Sequence, residues 1–390
     1  MIGAAGRKAL DEQDAQEWTR LTRRGDFEGA WAASDRIRQR HGWVCDGALP
    51  RHYQNVWNGT PLTGRRVLIR CYHGLGDTIQ FIRYAPLVRS IAAHVVVWAQ
   101  PRLVPLLEHV AGIDELLPLH DGAPDAEYDV DVEVMELPYV FRTTLATIPK
   151  AVPYLSAEPI RLAGKGLRVG LVWRAGEWDS QRCVPFAALV PLLDRPAVSW
   201  YSLQLAPRCD EQHTRLQSVP AATVIATARA MAALDLVISV DSMPAHLAGA
   251  LGVPVWTLLP RDADWRWLED RTDSPWYPTM CLFRQPVPGC WASVVEDIGR
   301  ALDGLSGSRP CSLVRVLVDE SQEVVVPGDK QLKKDGNRKD KKTKARNRDF
   351  EQPIVGAASP ERAQDASSLS GDDGEKQQSH SRANDGRKVN

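Results

Sequence analysis

Apolar residues occur at helical spacing near the start of the chain and in short uninterrupted runs further along it. Residues 9–41 predict two short helices, because Leu10, Trp18 and Leu21 share one helical face and Gly25 then interrupts the pattern. A single helical hairpin has too little surface to bury its own apolar face. We therefore expect this hairpin to pack against the domain that follows it.

From Arg66 onward, short apolar runs alternate with segments of helical periodicity. This alternation predicts parallel sheets wrapped by helices. Pro149, Pro153 and Pro159 crowd one segment, after which the alternation restarts, so we predict two doubly wound α/β domains that face each other. The predicted strands are Val67–Ile69, His94–Trp98, Val169–Trp173, Trp200–Leu203, Leu236–Val240 and Val253–Leu259. One predicted helix opens at Asp77 and another passes through Leu103. The other predicted helices are Phe186–Leu193, Ala226–Ala233 and Pro244–Leu251.

The chain of 390 residues divides into four predicted parts. A helical hairpin and linker cover residues 1–64, a first Rossmann-like domain covers 65–155, and a second covers 156–305. The remaining residues, 306–390, contain a single aromatic side chain, Phe350. A segment of this composition cannot bury enough apolar surface to fold, so we predict a disordered polar tail.

Charge separates the tail from the rest of the chain. The tail holds 17 Lys or Arg against 14 Asp or Glu, which leaves 31 basic and 35 acidic residues in the first 305 positions. A mildly acidic body argues against a specific nucleic-acid partner. Within the tail, Lys330–Arg348 has ten basic residues against two Asp, which favours a solvated extension, with weak contact to an anionic membrane as the alternative.

Two further absences narrow the expected class. The first residues carry no apolar run of signal-peptide length, and no run elsewhere approaches about 18 residues, so we expect a cytoplasmic protein, or one held peripherally at the inner face of the membrane. The seven cysteines are scattered and no two are spaced as a metal-binding pair, which favours free buried thiols over disulfides or structural zinc.

The segment that follows the strand Leu236–Val240 has the form of an anion site. Asp241 ends the strand, Ser242 can cap the next helix, and Pro244 suits its first turn. The N-terminus of such a helix favours a phosphate, and His246 can donate a hydrogen bond to the same anion. The alternative is that Ser242 only caps the helix and His246 is a core or surface histidine.

A glycine loop follows the first predicted strand. Gly74 and Gly76 permit close approach of the backbone to a ligand, and Asp77 and Thr78 come next. A carboxylate at a strand end is a candidate general base, although Asp is also a common helix N-cap. The sequence alone leaves both roles open for Asp77.

Two later segments carry candidate binding groups. Arg182, three residues before Pro185, is suited to a diphosphate, whereas a lone surface arginine is more often solvated. The runs 262–270 and 274–278 combine Trp and Tyr with charged residues. Such a composition fits a sugar or nucleotide surface, and equally a loop that braces the domain with its aromatic side chains.

In this order, the segments resemble the bacterial heptosyltransferase group, glycosyltransferase family 9, in particular its relatives that follow tetratricopeptide repeats. The hairpin near the start resembles one degenerate repeat of that kind. The resemblance runs from about Arg66 to Leu302 and depends on the segments Gly74–Thr78 with Pro86, Arg182 before Pro185, Asp241–Gly252, Asp264–Trp267 and Ser274–Met280.

The resemblance implies a GT-B fold and an inverting, metal-independent transfer of a heptose-like sugar, without a resident cofactor. The donor would be a nucleotide-diphosphate sugar such as ADP-heptose, and the acceptor a hydroxyl of a surface glycan or protein. Asp77 would be the catalytic base. The remaining implied site residues are Arg182, Gln204, Asp241, Ser242, Met243 and His246 for the donor, and Gly74, Gly76, Thr78, Asp264 and Trp265 for the acceptor or its loops.

Two departures from the family pattern keep another class open. Met243 stands where the family usually has glycine or another small residue, and the first domain is short. The alternative function is therefore a catalytically degenerate nucleotide-binding scaffold whose hairpin and tail recruit partners.

Overall fold

The computed structural model describes residues 4–41, 50–51, 54–176 and 179–305. These residues form two parallel β-sheets with packed helices, preceded by a helical hairpin. The predicted α/β class is confirmed. The predicted tail, with its basic run Lys330–Arg348, lies outside the described residues.

The hairpin consists of two helices, as predicted, α1 (Ala4–Arg23) and α2 (Phe27–His41). Gly25 turns the chain between them with a φ of +79°, a conformation that glycine adopts without strain. The hairpin packs on the rest of the molecule, since the Trp31 indole donates a hydrogen bond of 2.8 Å to the Thr143 carbonyl.

The first sheet has the strand order β3-β2-β1-β4, and all its neighbours are parallel. Its central strands, β1 and β2, are short apolar runs that are buried on both faces, which is typical of parallel sheets. The edge strands β3 and β4 were not predicted. The elements of this half are β1 (Arg66–Arg70), α3 (Leu75–Phe81), α4 (Ala85–Ile91), β2 (His94–Ala99), α5 (Val104–Leu107), β3 (Glu115–Pro118), β4 (Val130–Glu133) and α6 (Leu137–Val140).

The second sheet has the order β10-β9-β8-β5-β6-β7 and is also parallel throughout. The predicted helix Phe186–Leu193 and strand Leu236–Val240 have the predicted bounds. The elements are β5 (Leu167–Val172), α7 (Phe186–Leu193), β6 (Val198–Ser202), β7 (Leu216–Ser218), α8 (Val224–Met231), β8 (Leu236–Val240), α9 (Met243–Ala250), β9 (Val255–Leu259), β10 (Met280–Arg284) and α10 (Trp291–Leu305).

The helix that we predicted to open at Asp77 and to contain Ile79, Ile82 and Leu87 differs from the observed structure in two ways. It begins at Leu75, and it is divided into α3, a 3-10 turn over Ile82–Tyr84, and α4. Pro86 lies in the first turn of α4 and has no N–H to donate, so one regular α-helix cannot run through this point.

The proline-rich crossing joins the two halves and contacts both. The N–H groups of Tyr154 and Leu155 donate to the carbonyl of Ala250, at the end of α9. Arg83, from the first half, donates to the Tyr154 hydroxyl at 2.8 Å and to the Trp276 carbonyl at 2.5 Å. The crossing is thus hydrogen-bonded to elements of both sheets.

Cysteine burial agrees with the sequence only in part. Cys71 and Cys281 are buried free thiols, whereas Cys209 is exposed. Burial raises the pKa of the Cys281 thiol to about 11, so this thiol stays protonated. Within the described ranges, no helix is both long and apolar enough to span a bilayer.

Candidate active site

The glycine loop and the start of α9 meet in the crevice between the two sheets. The loop follows the carboxyl end of β1, and α9 follows the carboxyl end of β8. A Cβ on Gly76 would lie 2.9 Å from His246 Cδ2 and 3.4 Å from Met243 Cα. Only a residue without a side chain allows this approach, so Gly76 places Asp77 and α9 around one crevice.

Asp77 is the third residue of α3 and not its N-cap, which is Gly74. Its Oδ2 accepts the Gly74 N–H at 3.1 Å, and its Oδ1 accepts from Arg266 Nη2 at 2.8 Å. Asp77 is therefore not the N-cap residue, but its side chain does help to cap the helix, from the third position. One carboxylate oxygen supports its own loop, and the other contacts the second half of the molecule.

Arg266 was not predicted as a functional residue. Its side chain is 3% exposed and also forms an ion pair with Asp264, with 2.9 Å between Nε and Oδ1. The guanidinium lies 5.7 Å from the Phe81 ring centroid. One buried cation thus lies between two carboxylates, and the triad Asp77, Arg266 and Asp264 carries a net charge of −1. The alternation of charged and aromatic residues at 264–267 was the available signal.

The aromatic run braces the molecule. Trp265 is buried among rings of the hairpin and α3: it makes an edge contact with Trp18 at 5.5 Å and stacks on Phe81 at 6.4 Å. Asp264 caps the 3-10 turn by accepting the Arg266 N–H. The structure therefore gives Trp265 a packing role, and the predicted contact between this ring and an acceptor would require it to leave the core.

Ser242 occupies the N-cap position of α9, as predicted, but its side chain does not cap the helix. The hydroxyl instead donates to the Val240 carbonyl at 3.1 Å. Pro244 lies in the first turn, also as predicted. The Ser242 hydroxyl therefore takes no N–H group of this turn, although Pro244 has none to offer and the Ala245 N–H donates to the Ser242 carbonyl at 3.0 Å, so the turn would bind an anion mainly through its dipole.

His246 is held in one orientation by aromatic neighbours. Its Nδ1 lies 3.0 Å from the Tyr277 hydroxyl, and its ring stacks on Trp267 with centroids 5.2 Å apart. The Cδ2–Nε2 edge consequently faces Gly76. Burial raises the pKa of Tyr277 well above its ordinary value, so the phenol keeps its proton. The contact with Tyr277 was missed because 31 residues separate the partners.

Arg182 and Asp241, both assigned to the donor from the sequence, lie side by side. Arg182 Nη1 is 3.7 Å from Asp241 Oδ2, and Arg182 Nε is 3.3 Å from Asp179 Oδ2. The side chains of Arg182 and Asp241 are 11% and 4% exposed. The guanidinium is thus held near the start of α9 by two carboxylates and is not a solvated surface group.

Two further predicted residues support loops. Gln204 Oε1 accepts from the N–H groups of Trp173 and Arg174, at 3.2 and 2.9 Å, and so fixes the loop that follows β5. Thr78 is fully buried, and its hydroxyl donates to Gln100. Both side chains thus hold loops beside the crevice in place through hydrogen bonds.

Glu133 is a buried carboxylate at the end of β4 that sequence reasoning missed. It accepts the N–H groups of Met135 and Tyr72, at 2.6 and 3.2 Å, and lies 3.6 Å from His73 Nε2. Burial, together with the nearby charges of Glu136 and Asp77, raises the pKa of Glu133 well above its ordinary value. Its strand, Val130–Glu133, alternates apolar and acidic residues, which was the available signal.

No family model matches the chain. Among curated proteins, it is similar to protein FlbA of Caulobacter vibrioides, with 26% identity over 293 residues. The alignment covers 65% of this chain and 48% of FlbA, so the chain spans about half the length of that relative.

The structural neighbours are glycosyltransferases. A glycosyl transferase family 9 protein from Veillonella parvula is 13% identical, with 63% of this chain and 91% of that chain covered and a TM-score of 0.46. E. coli heptosyltransferase WaaC with ADP is 15% identical, with 61% of this chain and 99% of that chain covered and a TM-score of 0.42. The dodecameric iron-containing glycosyltransferase TibC from enterotoxigenic E. coli is 14% identical, with 60% of this chain and 67% of that chain covered and a TM-score of 0.39.

Proposed function

We propose that this protein is an inverting glycosyltransferase that moves a sugar from a nucleotide-diphosphate donor to a hydroxyl of a glycan or protein. The donor sugar is heptose-like, with ADP-heptose as one candidate, and the transfer needs no metal. The proposal combines the motif resemblance with the site geometry.

One observation carries the proposal. The candidate base and the candidate phosphate site come from different sheets, yet they meet at Gly76, whose Cβ would be 2.9 Å from His246. A reaction between an acceptor hydroxyl and a donor diphosphate needs a base on one side of a crevice and an anion site on the other. This crevice has Asp77 on the first side, and α9 with Arg182 on the second.

The chemistry follows from this arrangement. Asp77 takes the proton of the acceptor hydroxyl, whose oxygen forms a bond to the anomeric carbon from the face opposite the leaving group. The bond between the anomeric carbon and the phosphate oxygen breaks, and its electron pair leaves with the nucleoside diphosphate. Arg182, the first turn of α9 and His246 meet the negative charge that develops on the diphosphate.

The ion pair with Arg266 gives Asp77 a defined orientation. A guanidinium at 2.8 Å stabilises the ionised carboxylate, which is the form that accepts a proton. Each carboxylate oxygen has two lone pairs, so the bonds to Arg266 and Gly74 leave acceptor capacity on Asp77. Arg266 thus acts on the reaction through Asp77, as a positioning residue.

The scaffold alternative is favoured if the ion pairs and hydrogen bonds of Asp77 and Arg182 stay in place when a nucleotide binds. Both oxygens of Asp77 are bonded, and Arg182 is already close to Asp179 and Asp241. In that case the protein binds nucleotides, and the crevice has become a structural junction. The glycosyltransferase would turn over a nucleotide sugar, whereas the scaffold would bind the nucleotide without reaction.

The test compares nucleotide binding with transfer. ADP or UDP should raise the melting temperature of the full chain, and Asp77→Asn should keep this shift while sugar transfer from the best donor falls at least about 100-fold. Arg182→Gln should weaken the thermal shift itself. Asp297→Asn, at an exposed position on α10, serves as the matched control.

The outcomes separate the candidates. Nucleotide binding by the wild type without turnover over a panel of nucleotide sugars would establish the scaffold. The absence of any thermal shift with every nucleoside diphosphate would reject both functions.

A further inference from the structure

A pocket of about 180 Å³ lies where the hairpin meets the second half of the molecule. This is far more than the roughly 15 Å³ that one water molecule needs. Arginines from three different segments line it: Arg23 from the end of α1, Arg261 from the loop after β9, and Arg284 from the end of β10. It lies outside the crevice that holds Asp77 and His246.

Two of the three arginines have no acceptor among the residues that the structure describes, and the third, Arg284, keeps one buried donor without an acceptor. Neither Arg23 nor Arg261 has a side-chain hydrogen bond or an ion pair with any residue that the structure describes. The Nε atoms of Arg23 and Arg284 are buried, and neither has an acceptor among the described residues. A buried donor without an acceptor costs about 1–3 kcal/mol, so a pocket of this kind favours a ligand rich in acceptor oxygens.

The backbone beside the pocket is strained. Leu268 has a φ of +52° and a ψ of 174°, a conformation that is nearly restricted to glycine. Arg284 holds this turn by donating to the carbonyls of Trp267 and Leu268, at 3.3 and 2.6 Å. The Glu269 N–H donates to the Arg23 carbonyl at 2.7 Å. These bonds fix the pocket wall and keep the arginines together.

The pocket also contains three acidic residues, of which Asp270 and Glu269 offset part of the positive charge at Arg284. Asp262, Glu269 and Asp270 are exposed to water, where charge is strongly screened. Arg284 is more enclosed, and burial together with neighbouring Arg261 lowers its pKa. Arg261 is exposed beside these acids, whereas Arg23 and Arg284 are half-buried, so the rim carries charges of both signs and the enclosed part of the pocket is cationic.

We propose that this pocket binds a phosphate group through Arg23, Arg261 and Arg284. Guanidinium groups match phosphate oxygens in geometry and charge. The group is either free inorganic phosphate or the phosphate of a phosphorylated sugar, since both present the same oxygens. The site is independent of the proposed transfer reaction.

Calorimetric titration of the full-length protein tests the site. Inorganic phosphate and glucose 6-phosphate are the probes, and glucose is the uncharged reference. The double variant Arg23→Gln with Arg261→Gln should weaken binding of the phosphate probe at least 10-fold. The double variant should fold normally, because neither side chain is hydrogen-bonded to a residue that the structure describes. Arg271→Gln, at a nearby arginine paired with Asp273, should bind as the wild type does.

The probes distinguish the two sources of phosphate. Equal affinity for both identifies free phosphate as the ligand, and tighter binding of glucose 6-phosphate identifies a phosphorylated sugar. Binding of neither probe to the wild type, or unchanged binding to the double variant, would overturn the site. Arg182→Gln alters the proposed donor site and should leave binding here intact, so failure of one proposal is distinguishable from failure of the other.

Discussion

Asp77 and Arg266 are 189 positions apart in the chain, yet their side chains form an ion pair. Asp77, Asp241 and His246 were predicted as site residues from their place after predicted strands, and the structure brings Asp77 and His246 close together. Their functional roles stay predictions. Their partners, Arg266 and Tyr277, lie in a run rich in aromatics, where local pattern shows burial but not the residue that is contacted. Residue types were thus predictable, and long-range pairings were not.

Glu133 gives the molecule a measurable pH dependence. Its pKa is raised in the folded state by burial and by nearby Glu136 and Asp77, so the folded protein holds its proton at pH values where the unfolded chain has released it. Stability should therefore fall as pH rises above about 4.5, the ordinary value. In Glu133→Gln, which cannot ionise, this fall should be smaller.

Urea unfolding at pH 5, 6.5 and 8 measures the effect as a change in the free energy of unfolding. The Gln carbonyl oxygen can keep the shorter bond, from Met135, while the NH2 group replaces the oxygen that accepts from Tyr72, so the variant should remain folded but lose one hydrogen bond at all three pH values. Glu108→Gln, at an exposed position, should keep the wild-type slope. An identical slope in wild type and Glu133→Gln would show that this carboxyl does not titrate as its burial requires.

Several elements were predicted where an apolar run was bounded by clear end signals, although β10 (Met280–Arg284) and α10 (Trp291–Leu305) were missed. The helix Phe186–Leu193 and the strand Leu236–Val240 are examples of the predicted elements. Strands at sheet edges were missed, because Glu115–Pro118 and Val130–Glu133 are four residues long and mix polar with apolar positions. A short edge strand depends on its neighbour for stability more than on its own pattern.

Helix α9 approaches the Tyr277 ring so closely that only glycine fits at position 249. A Cβ there would lie 2.4 Å from Tyr277 Cδ1. Gly249→Ala should lower the free energy of unfolding by about 1–3 kcal/mol through overpacking, and should disturb the contact between Tyr277 and His246. Denaturant unfolding and the nucleotide-induced thermal shift measure the two effects.

Gly304→Ala is the matched control for this substitution. A Cβ at Gly304, in α10, meets no atom within 4 Å. The substitution should be neutral or stabilising by up to about 1 kcal/mol, because alanine favours the helix. Equal losses in both variants would mean that tight packing at α9 is not the cause.

The molecule is joined across its two sheets by more than the covalent crossing. Arg83 is almost fully buried, donates to the Trp276 carbonyl and the Tyr154 hydroxyl, and lies 4.4 Å from the Tyr277 ring centroid. The sequence predicted two halves and their crossing, but not this contact. A lone arginine in a helix usually reaches solvent, and only the packed structure shows that it is enclosed.

We expect the wild-type protein to unfold in one calorimetric transition. Arg83→Met should lower the melting temperature, with a loss of about 3 kcal/mol from charged hydrogen bonds and cation–π contacts, and should separate the transition into two. Arg300→Met, at a side chain that is 78% exposed, should leave the single transition unchanged. Two resolved transitions in the wild type would contradict this coupling.

The hairpin also restricts how the crevice can open. Trp31 is hydrogen-bonded to the Thr143 carbonyl in the first half, while Trp18 and Phe27 contact Trp265, in the loop after β9 of the second half, at 5.5 and 6.0 Å. A hinge rotation that separates the sheets would have to slide these rings apart and wet them. The substrates of the proposed reaction would therefore enter and leave by local loop rearrangement, and amide exchange in α3 and at the start of α9 would follow the undocking of the hairpin.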